Sequence, residues 1–245
     1  MKQPTLYVFA ISHYCEKARW AMDRSGIDYK LKFIAPGVHA QKATKLGLKS
    51  SSVPILTAGE DVIQGSSEII DWIDRHIPQS SSTLTPSNDS KAIESRLDEK
   101  TGVHVRRYYY SEAMVDCPET VKPMFKKGVP FVQKLLVDSI WSKVPTMMIK
   151  GMDLGPEQHL QSKAILDVEM DWLDGLLADG RPFLAGDQLS RADLAAASLL
   201  APLVVPDEHP TYDTLILPPR VAADAIIWAE RPVFNWVKSI YQQYR

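Results

Sequence analysis

Cysteine is nearly missing from this chain: its 245 residues include only Cys15 and Cys117. Two thiols make no disulfide framework, so the fold must rest on a buried apolar core. A chain of this length can bury such a core without metal or disulfide staples. An excess of one charge is lacking too. The formal net charge is −2 and no block of like charges occurs, which argues against nucleic acid or a membrane surface as the main partner. The longest largely apolar run, Leu194 to Val205, falls well short of the roughly 20 residues that cross a bilayer. Met1-Lys2-Gln3-Pro4 lacks the apolar stretch of a secretory signal, so a reducing, cytoplasmic setting is expected.

What is present begins with alternating strand and helix signals. Leu6-Tyr7-Val8-Phe9 is a short β-prone run of the kind found in buried parallel strands. Ser12 stands as an N-cap before a stretch with Ala18, Ala21 and Met22 on one helical face, and Gly26 stops it. Ile27, Tyr29, Leu31 and Phe33 alternate with Asp28, Lys30 and Lys32, the period of a half-buried strand. Strand, helix and strand in this order imply a parallel pair with a right-handed crossover. A short helix is expected from Val38 to about Leu46. Val53-Pro54-Ile55-Leu56 and Asp61-Val62-Ile63 then flank Ala58-Gly59-Glu60 as a hairpin, and Ile69, Ile70, Ile73 and Ile77 mark a further helix.

Residues 79–90, rich in Ser, Thr and Pro, read as a linker between a domain over 1–78 and an all-helical domain over 91–245. In the second domain Ile93, Leu97, His104 and Tyr108 fall at helical spacing, with Pro118 as the expected stop. Ile165, Val168, Trp172, Leu173 and Leu176 form an amphipathic face. Val233, Trp236, Val237, Ile240, Tyr241 and Tyr244 follow Pro232 on one stripe. Residues 115–155 and 203–222 match no pattern.

The segment Leu6 to Gly26, with Val53-Pro54 and Ser66-Ser67-Glu68-Ile69-Ile70-Asp71-Trp72-Ile73 downstream, resembles the N-terminal domain of the soluble glutathione transferases. Gly186-Asp187-Gln188-Leu189-Ser190-Arg191-Ala192-Asp193 resembles that family's helical-domain capping motif. Ser190 and Asp193 there suit the Ncap and N3 positions of a capping box, and Leu194 to Leu200 is apolar nearly all round, as in a buried helix. The resemblance implies a thioredoxin-like α/β N-terminal domain plus an all-α C-terminal helical domain. It also implies glutathione as co-substrate, a small electrophile as second substrate, no metal, and a homodimer.

Carried over residue by residue, the resemblance makes Val53-Pro54 the cis-proline turn, where Val53 offers its backbone to the cysteinyl part of glutathione. An ordinary trans proline opening an edge strand is the alternative. Ser66 is the serine that holds the γ-glutamyl carboxylate at a helix N-terminus, where free N–H groups and the dipole favour an anion; Ser66 or Ser67 can equally serve as an N-cap. Gly65 departs from the family's usual Glu or Gln before that serine, with Gln64 one residue earlier. His39 falls where some serine-type members contact the glycyl carboxylate; a solvent-facing histidine is the alternative.

Ser12 opens the tetrapeptide Ser12-His13-Tyr14-Cys15 at the strand-to-helix junction. Theta-like transferases also carry serine there, and its hydroxyl donates to the glutathione sulfur. Cys15, one turn further, is either a small core hydrophobe or the nucleophile of a thiol–disulfide reductase. Tyr7 and Tyr14 are further hydroxyl sources. His104 and Tyr108 share a face that points at either the electrophile or the core. A third reading is an interaction module of this fold without turnover.

Overall fold

The computed structural model describes residues 3–78 and 82–245. Residues 79–81 of the expected linker, and residues 1 and 2 of the first expected domain, lie outside the described residues. The chain divides into two compact units, Met1–Leu84 with Met124–Trp141, and Thr85–Pro123 with Ser142–Arg245. Each is described by itself.

The first unit contains β1 (Thr5–Val8), α1 (His13–Arg24), β2 (Lys30–Phe33), α2 (Val38–Lys45), β3 (Ile55–Ala58), β4 (Asp61–Gln64) and α3 (Ser66–His76). Its four strands lie in the order β2-β1-β3-β4. β1 runs parallel to β2 with Leu6 opposite Leu31, and antiparallel to β3 with Tyr7 opposite Ile55; β3 pairs antiparallel with β4, Ile55 opposite Gln64. This is the thioredoxin-like β-α-β, α, β-β-α order.

Leu6, Ile55, Leu56, Ala18, Met22, Ile69, Ile70 and Ile73 are fully buried. Each large aliphatic among them contributes about 1.5–3 kcal/mol, against about 0.5–1.5 kcal/mol for a hydrogen bond, so packing of α1 and α3 holds this unit. Trp72 Nε1 donates to Asp61 Oδ2 at 3.0 Å and ties α3 to β4. The second strand is shorter than its alternating pattern. Ile27 N–H bonds the Ser25 hydroxyl at 3.1 Å, closing the end of α1, and pairing with the first strand's segment begins only with Lys30 N–H on Pro4 O at 2.8 Å.

The remaining helices are α4 (Asn88–Arg96), α5 (Gly102–Asp116), α6 (Pro118–Lys126), α7 (Phe131–Ile140), α8 (Val144–Met152), α9 (Pro156–Leu177), α10 (Arg191–Val204), α11 (Pro219–Trp228) and α12 (Pro232–Tyr244). α7 comes from the stretch that matched no sequence pattern, and it packs in the first unit. Gln133 Oε1 accepts from Ala35 N at 2.8 Å. Gly128, at φ +72°, lies on the Phe33 ring so closely that a Cβ would come within 2.5 Å of it.

The second unit is all-helical and is built around α10, every residue of which is buried. The expected capping box is present. Asp193 accepts from Ser190 N at 2.8 Å, Ser190 Oγ at 2.8 Å and Leu184 N at 2.7 Å. Arg191, fully buried, pairs with Glu94 and donates to Thr85 Oγ1 at 2.9 Å.

α5 ends at Asp116, as the Pro118 stop predicts, and Pro118 also opens α6, because proline is well tolerated in a helix's first turn. One expectation for this unit is corrected. The buried face of α9 is His159, Ser162, Leu166, Glu169, Met170 and Leu173, while Val168 is 60% exposed. Polar members of that face are matched by partners that an apolar periodicity cannot register. Glu169 takes both Arg96 Nε and Nη2, Ser162 bonds His104 at 3.2 Å, and His159 Nδ1 lies 3.0 Å from Tyr108 O.

Removing the Asp193 carboxylate strands two buried N–H groups and a hydroxyl. Asp193→Ala should therefore cost about 2–4 kcal/mol of stability, measured by urea unfolding. A loss below about 0.5 kcal/mol, the range of a neutral surface change, would contradict this role.

Candidate functional site

Strand directions decide which residues meet. β1 and β4 end, and β3 begins, at the same edge of the sheet. The helices that follow β1 and β4 therefore start there, as does α2 after the parallel strand β2. Ser12, His39, Val53-Pro54 and Gly65-Ser66-Ser67 all belong to this end. Gly65 N–H donates to Pro54 O at 3.1 Å, which joins two of these segments directly. The Val53–Pro54 bond is cis.

Ser12 is the N-cap of α1: its hydroxyl oxygen accepts from Cys15 N at 3.3 Å. The same side chain also makes a hydrogen bond with the Cys15 thiol, so Ser12 caps its helix at the strand-to-helix junction. Ser66, at the first position of α3, is 5% exposed, and its hydroxyl has no partner among the described residues. Two helix N-termini thus lie at one end of the sheet, a setting that favours anions.

Cys15 faces inward and is buried. Phe9 N–H points at its sulfur at 3.4 Å, and burial pushes the thiol up to about 12 despite that contact and the Ser12 hydrogen bond. A nucleophilic thiol needs the opposite shift. His39 is half-buried: its Nδ1 accepts from Gly37 N at 3.1 Å, its ring meets Phe9 edge-on at 4.9 Å, and burial pushes its pKa down. It is thus a neutral hydrogen-bonding group at pH 7.

Lys17 is the residue that sequence reasoning passed over. It is fully buried in α1, and its Nζ reaches Ser67 Oγ at 3.1 Å. That brings a basic group to the start of α3 and ties the two helices together. The only sequence signal was a lysine among the inward positions of an amphipathic helix. Tyr108 is not a surface group: it is fully buried, donates to Asp224 Oδ2 at 2.7 Å and stacks on His159. Of the two readings left open for His104 and Tyr108, Tyr108 thus takes the core one.

Among the described residues no cluster of His, Cys, Asp or Glu is suited to hold a metal, and no helix is long and apolar enough to cross a membrane.

A thioredoxin-like domain followed by an all-helical one, with helix termini gathered beside a cis proline, defines a class of two-domain architecture. Residues 6–81 match the family model for the glutathione S-transferase N-terminal domain. No curated protein matches the chain. Among solved structures it is similar to the β-etherase LigF from Sphingobium sp. strain SYK-6, with 17% identity over 97% of this chain and 99% of that one and a TM-score of 0.60. It is similar also to a glutathione S-transferase of Ceriporiopsis subvermispora in complex with glutathione (14% identity, 100% and 98% covered, TM-score 0.62). A glutathione transferase from Phanerochaete chrysosporium gives 14% identity, 100% and 98% coverage and a TM-score of 0.64. This chain therefore has a glutathione S-transferase-superfamily fold. At these identities the likeness is one of fold and fixes no class.

The buried, protonated thiol makes a direct prediction. Iodoacetamide at neutral pH should leave Cys15 unmodified in the folded protein and modify it only in denaturant, as read by mass spectrometry. An unfolded thiol titrates near ~8.5, so the stability that neutral Cys15 contributes is complete below that pH and is lost as pH rises toward about 12. Rapid alkylation of native Cys15 would contradict the burial argument.

Proposed function

We propose that this chain binds glutathione at the sheet end described above and transfers it to an electrophilic small molecule, with the Ser12 hydroxyl stabilising the thiolate. The observation that carries the reading is the meeting of Ser12, the cis Val53–Pro54 bond and Ser66 at one end of the sheet, with the Ser66 hydroxyl left without a partner among the described residues. In this reading the γ-glutamyl carboxylate sits on Ser66, Ser67 and the start of α3. The cysteinyl backbone pairs with Val53 as an added strand, and the sulfur lies at Ser12. His39 donates to the glycyl end as a neutral group. Solved structures of this fold that contain glutathione support the choice of co-substrate.

The energetics are sufficient. Bringing a thiol from ~8.5 to below 7 needs roughly 2–3 kcal/mol at about 1.36 kcal/mol per unit. A hydrogen bond to a charged acceptor supplies about 1.5–3 kcal/mol, and the α1 terminus about 0.3–1 kcal/mol or more. The thiol proton leaves to solvent. The thiolate then forms the C–S bond while the electron pair of the breaking bond goes to the leaving group, or to the acceptor atom in an addition. The rival reductase reading would need Cys15 as a thiolate, and its burial opposes that. A module without turnover would bind glutathione and show no conjugation.

Calorimetry should detect glutathione binding, and Ser66→Ala should weaken it by roughly 1–3 kcal/mol. Ser12→Ala should lower turnover near neutrality with little change in affinity, because its hydroxyl acts on the thiolate. Cys15→Ala should keep most activity. No heat of binding at millimolar glutathione would overturn the reading. The family resemblance also extends the proposal to a two-fold homodimer; light scattering at micromolar concentration should give twice the 27.5 kDa chain mass, and a monomer mass would refute it.

A further inference from the structure

Gly65 leaves open how the ammonium of a γ-glutamyl ligand would be neutralised. That ammonium shares a carbon with the carboxylate, so seating the carboxylate at the start of α3 brings the ammonium there as well. A charge removed from water without a partner is costly. Gln64, the nearest alternative along the chain, carries no charge to offset an ammonium, and its amide is anchored by Nε2 donating to Ser50 O at 2.9 Å and Ser52 O at 2.7 Å.

The structure contains an anion where a residue-65 side chain would have been. Gly65 has φ +109°, and a Cβ built on it would lie 2.0 Å from Glu68 Oε2 and 2.9 Å from its Cδ. The Glu68 carboxylate is thus folded back over the Gly65 α-carbon. It is not there to cap the helix, for α3 has no side-chain cap and Gly65 N–H is taken by Pro54 O. Glu68 is exposed, and it forms no ion pair or side-chain hydrogen bond among the described residues. Beside it the Ser66 hydroxyl, in a residue 5% exposed, has no partner among those residues either, and Lys17 Nζ contacts Ser67.

We infer that Glu68 is the residue that pairs with the α-ammonium of the bound γ-glutamyl group, and that Gly65 is required because any side chain there would displace it. The inference rests on the glutathione-binding reading above. It divides the start of α3 in two. N–H groups, Ser66 and Lys17 present donors and positive charge to the carboxylate, while Glu68 presents negative charge to the ammonium. Recognition is then directed at a zwitterionic amino-acid head, not at a carboxylate alone.

The test is calorimetry with glutathione and with its desamino analogue, in which a glutaryl group keeps the carboxylate but lacks the ammonium. Wild type should prefer glutathione by about tenfold or more, the scale of one charge-assisted bond. Glu68→Gln should lose most of that preference by weakening glutathione while leaving the analogue within about twofold, a difference well below one such bond. Gly65→Ala should act in the same direction. Urea unfolding of both variants separates ligand recognition from misfolding. If Glu68→Gln binds glutathione as wild type does, or loses both ligands equally, the assignment of Glu68 is wrong while glutathione binding stands. If wild type binds neither ligand, the glutathione reading fails, and this inference with it.

Discussion

Tyr7 lies opposite Ile55, and Ile55 opposite Gln64; these two registers position the whole site. They bring the cis peptide at Val53–Pro54 alongside the end of β1 and set Gly65 one hydrogen bond away from Pro54. A one-residue slip in either pairing would exchange the faces of a strand, burying Thr57 where Leu56 now packs and moving Ser66 away from the turn. The packing of Leu6, Leu56, Ile69 and Ile73 resists that slip. The same apolar contacts that stabilise the first unit therefore position the hydroxyls that the proposed chemistry uses.

The electrostatics at this sheet end separate two sulfur chemistries. The α1 terminus carries the positive end of its helix dipole, which favours an anion arriving from outside, and Ser12 caps that helix. Cys15 lies only one turn along the same helix, yet faces the core, where loss of hydration outweighs the Ser12 and Phe9 hydrogen bonds and pushes the thiol up to about 12. Depth, more than position along the chain, keeps the Cys15 thiol protonated at neutral pH. The fold thus suits activation of a bound thiol over activation of its own.

Features set by local chemistry were readable in the sequence. Ser12 as an N-cap, the Gly59-Glu60 hairpin and the Ser190/Asp193 box each depend on residues within a few positions of one another, and the resemblance pointed to the proline turn. Features set by tertiary pairing were not. The interior face of α9 carries His159, Ser162 and Glu169, whose partners lie 51 to 73 residues away in sequence, so apolar periodicity selected a neighbouring face. Lys17 went unread because its partner Ser67 lies 50 residues further along the chain. Gly65 read as a missing acid; only the backbone at φ +109° and the folded-back Glu68 show what occupies that space. The α7 segment carried no family pattern, and its place in the first unit is visible only from Gln133 and Gly128.

The central claim is that this protein makes a thiolate of bound glutathione with one hydroxyl and one helix terminus. Its most direct measurement is the ultraviolet absorbance of the thiolate, followed against pH for glutathione held in saturated wild-type protein. Stabilisation of roughly 2–3 kcal/mol places the midpoint near or below pH 7, against ~8.5 for a free thiol. A midpoint that stays near ~8.5 while glutathione is demonstrably bound would contradict the claim.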